Sequence, residues 1–167
     1  MKFFSANIED LRTLYIDSLQ KALNMEQKIV KALPTMIEKS TDTELATAFR
    51  DHLEQTKGHA TKVEGLLRSA TGEASTSTCK VISSLVTEAE DNIKDAKDTS
   101  IRDISLIASG QQVEHHEIAV YGTLRTWAGI LGQNDDVAVL ESILDEEEQA
   151  DELLTQIAEH VNLQAAA

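Results

Sequence analysis

The sequence predicts an all-α fold built on four long helices, and three observations carry that prediction. Ala, Leu, Ile, Glu, Gln and Thr dominate a chain of 167 residues that has one proline, seven glycines and 4% aromatics. That is poor material for repeated strands and tight turns. Apolar residues recur at three- and four-residue spacing, the period of a helix with one buried face. A long polar interval and two short breaks separate the periodic stretches. The length suits a single domain, residues 1–167, large enough to bury a core without disulfide or metal staples.

Asn7 followed by Asp10 offers an N-cap, and Leu19, Leu23, Glu26, Val30 and Leu33 then repeat at helical spacing, predicting a first helix over about 8–39. Pro34 falls inside it and removes the hydrogen bond to Val30, so a kink or an early end is expected there. Thr41 with Glu44 has the spacing of a capping box. It opens a second helix whose stripe is Leu45, Phe49, Leu53, Thr56, Ala60, Val63 and Leu67, with Gly72 closing it. So short a connection makes the two helices antiparallel neighbours.

The polar run Glu73–Thr78 and the shorter pattern Val81, Ile82, Leu85, Ile93 predict a long crossover over 73–99 containing a small helix. After Asp98, Leu106, Gly110, Val113, Glu117, Tyr121, Leu124 and Ala128 outline a third long helix ending near Gly132. Asn134 can cap the fourth, with the stripe Leu140, Leu144, Glu147, Asp151, Leu154 and Ala158. Two antiparallel helical hairpins joined by a long crossover make the ferritin-like four-helix topology.

Lys and Arg total 15 against 29 Asp and Glu, a formal charge of -14. A surface that tracks phosphates is excluded, so nucleic acid is not an expected partner. Most of the excess reads as solvation of helix faces, with cation attraction as the alternative. The start Met1–Ser5 is too short in apolar residues for a signal peptide, and no apolar run reaches the roughly 20 residues of a spanning helix. A cytoplasmic protein without membrane contact is expected. The single cysteine, Cys79, fits a reducing compartment and reads as buried. No Ser-His-Asp or Cys-His arrangement with an elbow or glycine-rich loop is present to suggest a hydrolase.

The informative residues are polar ones at core positions. At about 100° per residue, Glu26 lies within the apolar stripe of the first helix, an expensive place for an unpaired charge. On the third helix, Glu114 and Glu117 share the face of Gly110, Tyr121 and Leu124, whereas His115 and His116 turn away. In the acidic run Asp145–Glu148 only Glu147 aligns with the buried face, and Asp151 follows it one turn later. The second helix contributes His52 and His59, Glu54 pointing the opposite way and Gln55 sitting at the edge of the face. Tyr121 reads first as a core aromatic and second as a hydrogen-bond partner.

Depth agrees with facing. Glu26 lies about 13 residues before the end of its helix, and about 13 residues past the start of the next is position 55, bracketed by His52 and His59. Glu114 and Glu117 predict facing positions near 149–152, the height of Glu147 and Asp151. Carboxylates and imidazoles converging from four helices are what a two-metal site in a bundle core requires. A buried hydrogen-bonded polar network is the alternative.

The segment Val113-Glu114-His115-His116-Glu117-Ile118-Ala119-Val120-Tyr121-Gly122-Thr123-Leu124 closely resembles the third-helix signature of the YciE/YciF ferritin-like stress proteins. Met25-Glu26-Gln27-Lys28 with Ala32-Leu33-Pro34, His52 to Thr56 with Gly58-His59, and Leu144 to Glu147 with Asp151 extend the likeness along nearly the whole chain. The resemblance implies a ferritin-like bundle, a homodimer, a bacterial cytoplasmic setting and a link to stress responses. Carried over by position, it implies the metal ligands Glu26, His52, His59, Glu114, Glu117, Glu147 and Asp151. Familiar di-iron proteins carry Glu-x-x-His pairs on two helices; here Glu54 is followed by Lys57 and Glu147 by Ala150. Relatives often have Glu where Gln55 stands.

Three readings follow. The first is a protein holding two Fe or Mn ions and reacting with oxygen or peroxide. The second is a non-catalytic dimeric stress or assembly protein that keeps a buried polar layer for packing specificity. The third, iron storage, needs a closed multisubunit shell, which a dimer would exclude.

Overall fold

Asp10 begins the first helix, α1 (Leu11–Lys39), in a computed structural model that describes residues 8–165, with side chains to residue 163. Its Oδ1 accepts from the Thr13 amide at 2.7 Å, and the Thr13 hydroxyl oxygen accepts from the Asp10 amide at 3.1 Å. This reciprocal pair satisfies two amides at the helix start. The helix therefore begins slightly later than about residue 8, and Asn7 lies outside the described residues. At Pro34 the early end does not occur: α1 continues to Lys39. One backbone bond is lost there, but Ile29, Leu33 and Met36 stay buried on both sides of the proline and hold the helix to the core.

The second helix, α2 (Thr43–Thr71), is capped by Asp42, whose Oδ1 accepts from the amides of Glu44 and Leu45 at 2.9 Å each. The expected Thr41–Glu44 capping box is not formed, because Thr41 is engaged elsewhere. Its hydroxyl donates to Asp103 Oδ2 at 2.5 Å, its amide to Asp103 Oδ1 at 2.9 Å, and the Asp42 amide also donates to Asp103. Gly72 ends α2 with φ 87, a left-handed conformation that favours glycine.

The crossover is tied to α1. Ser77 donates its amide to the Gln20 carbonyl at 3.2 Å and Cys79 donates its amide to Asn24 Oδ1 at 3.0 Å. It then forms α3 (Lys80–Asp95), which turns Ile82 and Ala89 inward. Asp98 caps α4 (Thr99–Ile130) through the amides of Ser100 and Ile101. Gly132, with φ 73, turns the chain into α5 (Asn134–Ala165). Asn134 is the first helical residue and not the cap: the Gln133 carbonyl already accepts the Val137 amide, while the Gln133 amide closes back on Ala128.

Helix α1 packs on α2, and α4 on α5; α2 meets α5 and α1 meets α4, so the four long helices close a ring, with α3 lying over α1 and α4. Among the described residues there is no strand and no helix long and apolar enough to cross a membrane. The core runs along the ring, from Tyr15 and Leu140 to Leu45 and Val161, and includes buried Cys79.

Asp103, 3% exposed, joins α4 to the α1–α2 turn through three accepted bonds, next to Arg102, whose Nε donates to the Lys39 carbonyl at 3.0 Å. Asp103→Ala strands two amides and a hydroxyl. Urea unfolding should show a loss of about 2–4 kcal/mol, and Asp103→Asn, which retains one acceptor, should lose less.

Candidate metal centre

Midway along the ring, the long helices stop presenting hydrocarbon and present charge. Glu26 takes its place in the α1 stripe between Leu23 and Ile29, fully buried. Val30, expected to face the core, is half-buried, and Ile29 takes that place. His52 and His59, seven residues apart on α2, are buried on one face, and Thr56 between them donates its hydroxyl to the His52 carbonyl at 2.7 Å. Helix α4 contributes Glu114 and Glu117, and α5 contributes Glu147. His115 is exposed, His116 half-buried, and Glu54 is exposed beside Lys57, all as facing predicts.

These six residues meet as two groups. His52, Glu114, Glu117 and Glu147 form one, and Glu26, His59 and Glu147 the other; within each, the ligand atoms lie within 4.8 Å of one another. Glu147 belongs to both. Its Oε1 is 2.9 Å from His59 Nδ1, and its Oε2 is 3.9 Å from His52 Nε2. His52 Nε2 is 3.3 Å from Glu114 Oε1, and His59 Nδ1 is 4.0 Å from Glu26 Oε2.

The seventh predicted residue, Asp151, is in neither group. It lies one turn beyond Glu147, about 6 Å along α5. Its side chain is 20% exposed and faces His115 Nδ1 at 3.2 Å. Gln55, at the exposed edge, touches His52.

Two partners complete the layer. The Tyr121 hydroxyl donates to Glu26 Oε1, so this residue is both core aromatic and hydrogen-bond donor. Glu146 Oε2 lies 2.8 Å from His59 Nε2, and its other oxygen accepts from Lys62 Nζ at 3.1 Å. Facing had set Glu146 aside with the rest of the acidic run. The signal available was its position beside Glu147, at the rim where α2 meets α5.

Much of this polar surface is not matched by protein groups. Apart from the His59 Nδ1–Glu147 Oε1 pair, the buried atoms of this layer without a hydrogen-bond partner are Glu26 Oε2, both nitrogens of His52, Glu114 Oε2, both carboxylate oxygens of Glu117 and Glu147 Oε2. Each such group costs about 1–3 kcal/mol, more when charged, so their concentration in one layer calls for a compensating cation. Carboxylate oxygens with imidazole nitrogens suit a borderline divalent ion.

The electrostatics agree. Burial, reinforced by the Glu147 carboxylate, raises Glu26 to about 8. The same two causes raise Glu114 and Glu117 well above the usual carboxylate range. Burial is the largest influence on His52 and lowers it, which keeps the imidazole neutral and available to a metal. Burial would also lower His59, but the carboxylates of Glu147, Glu26 and Glu146 outweigh it and lift the ring to about 9.

The family described as a domain of unknown function, DUF892, matches residues 10–167. Protein YciF of Escherichia coli K12 is 32% identical over 153 residues, covering 91% of this chain and 92% of that protein. The crystal structure of the E. coli stress protein YciF superposes with a TM-score of 0.87 at 30% identity, over 92% of this chain and 97% of the other. YcfI from Rhodopseudomonas palustris superposes with a TM-score of 0.88 at 35% identity, over 92% and 98%. The family match over residues 10–167 and the identity to YciF over nearly the whole of both chains agree: the chain belongs to the DUF892 family of YciF-like proteins.

Proposed function

We propose that this protein is a single-domain, ferritin-like, stress-associated bundle whose core binds two Fe or Mn ions and reacts with a small oxidant such as oxygen or peroxide. The observation that carries the reading is Glu147, fully buried and shared by two ligand groups, one of its oxygens toward each. His52, Glu114 and Glu117 would hold one ion with Glu147, and Glu26 and His59 the other.

When bound, such a pair supplies Lewis acidity and electrons to an oxidant. The protein's own contribution is positional. Glu147 keeps a carboxylate oxygen in each group, His52 offers an uncharged nitrogen, and Tyr121 holds Glu26 by its Oε1, leaving Oε2 for an ion. To become a ligand His59 must release the proton on Nδ1, the nitrogen that faces Glu147 and Glu26, while Glu146 at the rim accepts from Nε2–H and fixes the ring, itself held by Lys62.

A second reading, a non-catalytic dimeric stress protein with a metal-free polar layer, is favoured by one observation. His59 already sits between Glu146 and Glu147, which partly neutralise it. Elemental analysis of protein purified from iron- and manganese-replete cells, with light scattering on the same fractions, separates the two. About two ions per chain in a homodimer are expected. Fewer than about one ion per two chains would sink the metal reading, and a closed shell would restore iron storage. A cytoplasmic setting is part of the same proposal.

A further inference from the structure

The two faces of the His52–Glu114 end of the layer open onto different surroundings. On one side, between α1, α3 and α4, lies a cavity of about 60 Å3 walled mostly by apolar side chains, among them Leu33, Met36, Val86, Ala89 and Ile93, with Thr35 and Ser109 also in its lining. Exposed Lys31 and Glu90 belong to its outer lining, and His52 and Glu114 to its inner lining. On the other side, toward α5, is a cleft of about 310 Å3 lined by Asp51, Gln55 and Gln149 as well as His52 and Glu114.

Size and lining select what each passage admits. An apolar cavity of about 150 Å3 takes up benzene and stays dry; one of 60 Å3 has room for a diatomic molecule or a few heavy atoms. Placing a hydrogen-bonding or charged molecule against walls that are mostly hydrocarbon leaves most of its polar groups unpaired, at a cost of several kcal/mol, so ions and peroxide are disfavoured there. They are less disfavoured in the cleft, where Asp51, Gln55 and Gln149 offer a carboxylate and two amides beside apolar Phe49, Leu153 and Leu154. His52, 5% exposed with neither ring nitrogen hydrogen-bonded, and the unpartnered Glu114 Oε2 are unsatisfied groups that both routes reach.

We propose that the α1/α3/α4 cavity is a binding site for a small uncharged apolar molecule of the dioxygen class, separate from a polar route for ions and peroxide between α2 and α5. The binding site stands on its own; that its occupant serves the ions rests on the metal reading above. The crossover helix then has a task besides connection, since Val86, Ala89 and Ile93 form one wall of the site.

Crystals of the full chain pressurised with xenon, a probe that needs no metal, test the site directly. A xenon peak between Leu33, Ala89 and Ile93 is expected, lost in Ala89→Leu, which fills the space, and stronger in Ile93→Ala, which enlarges it. An empty cavity under pressure, or a peak that survives Ala89→Leu, overturns the proposal. In iron-loaded protein the ratio of dioxygen-driven to peroxide-driven iron oxidation should fall severalfold in Ala89→Leu. An unchanged ratio overturns the separate routes. Failure to take up iron counts against the metal reading alone, and the xenon result still decides the cavity.

Discussion

On the two-ion reading, Glu147→Gln should leave the purified protein with neither ion, whereas Glu114→Gln should leave it with one. Glu147 is common to both ligand groups and Glu114 belongs to one, so the two losses are unequal even though both residues are buried in the same layer. Metal added at a thousandfold excess over Kd stabilises a site by about 4 kcal/mol, a rise of roughly 10 °C in Tm for a chain of this length. That rise should vanish in Glu147→Gln, shrink in Glu114→Gln and persist in Glu54→Gln, whose carboxylate is exposed beside Lys57. Elemental analysis and thermal melts with and without Mn make the measurement. Equal stoichiometry in Glu147→Gln and wild type would show that the shared carboxylate is not a ligand.

Metal-free protein should lose stability as pH rises from about 5 to about 8, and metal-loaded protein should gain it. The sign follows from three carboxyls. Glu26 is raised from 4.5 to about 8, and Glu114 and Glu117 are raised well above 4.5. Between those limits the folded state binds more protons than the unfolded state. Stability present below the unfolded value is then lost as pH passes through the folded one, at up to about 1.4 kcal/mol per pH unit for each group. His59, raised to about 9, acts in the same direction over a higher window. His52 is lowered and opposes it.

Metal ions compete with the same protons, so loading reverses the slope and releases protons. Isothermal calorimetry in two buffers of different ionisation enthalpy counts them. Glu117→Gln removes one of the three carboxyls. Without metal at pH 8 it should melt several degrees higher than wild type, since a neutral amide replaces a buried acid at little cost in shape. With metal it should gain less. A metal-free melting curve that rises with pH between 5 and 8 would mean the three carboxyls do not hold their protons in the folded state.

Facing and depth were legible in the sequence because a helix repeats with a fixed pitch. The 3.6-residue period was enough to put Glu26, Glu114, Glu117 and Glu147 inward and His115 and Glu54 outward, before any contact was known. Caps were less legible. Thr41 and Glu44 have the spacing of a capping box, but Asp103, 62 residues from Thr41, takes the Thr41 hydroxyl and amide and leaves the cap to Asp42. Pro34 likewise obeyed its local chemistry only in part, because the burial of Leu33 and Met36 outweighs one missing bond.

By itself, then, the sequence determined the all-helical class, the helix order with its long crossover, and the set of polar side chains that would have to share the core. Those depend on period and composition, which are local properties. Tertiary structure decided which of these side chains meet. It joined six of them into two groups through Glu147, left Asp151 one turn away beside His115, brought Glu146 onto His59, and laid α3 over the seam that forms the apolar cavity. Such choices turn on the spacing and rotation of neighbouring helices over a few ångströms, about one helical turn, and no single helix carries that information in its own period.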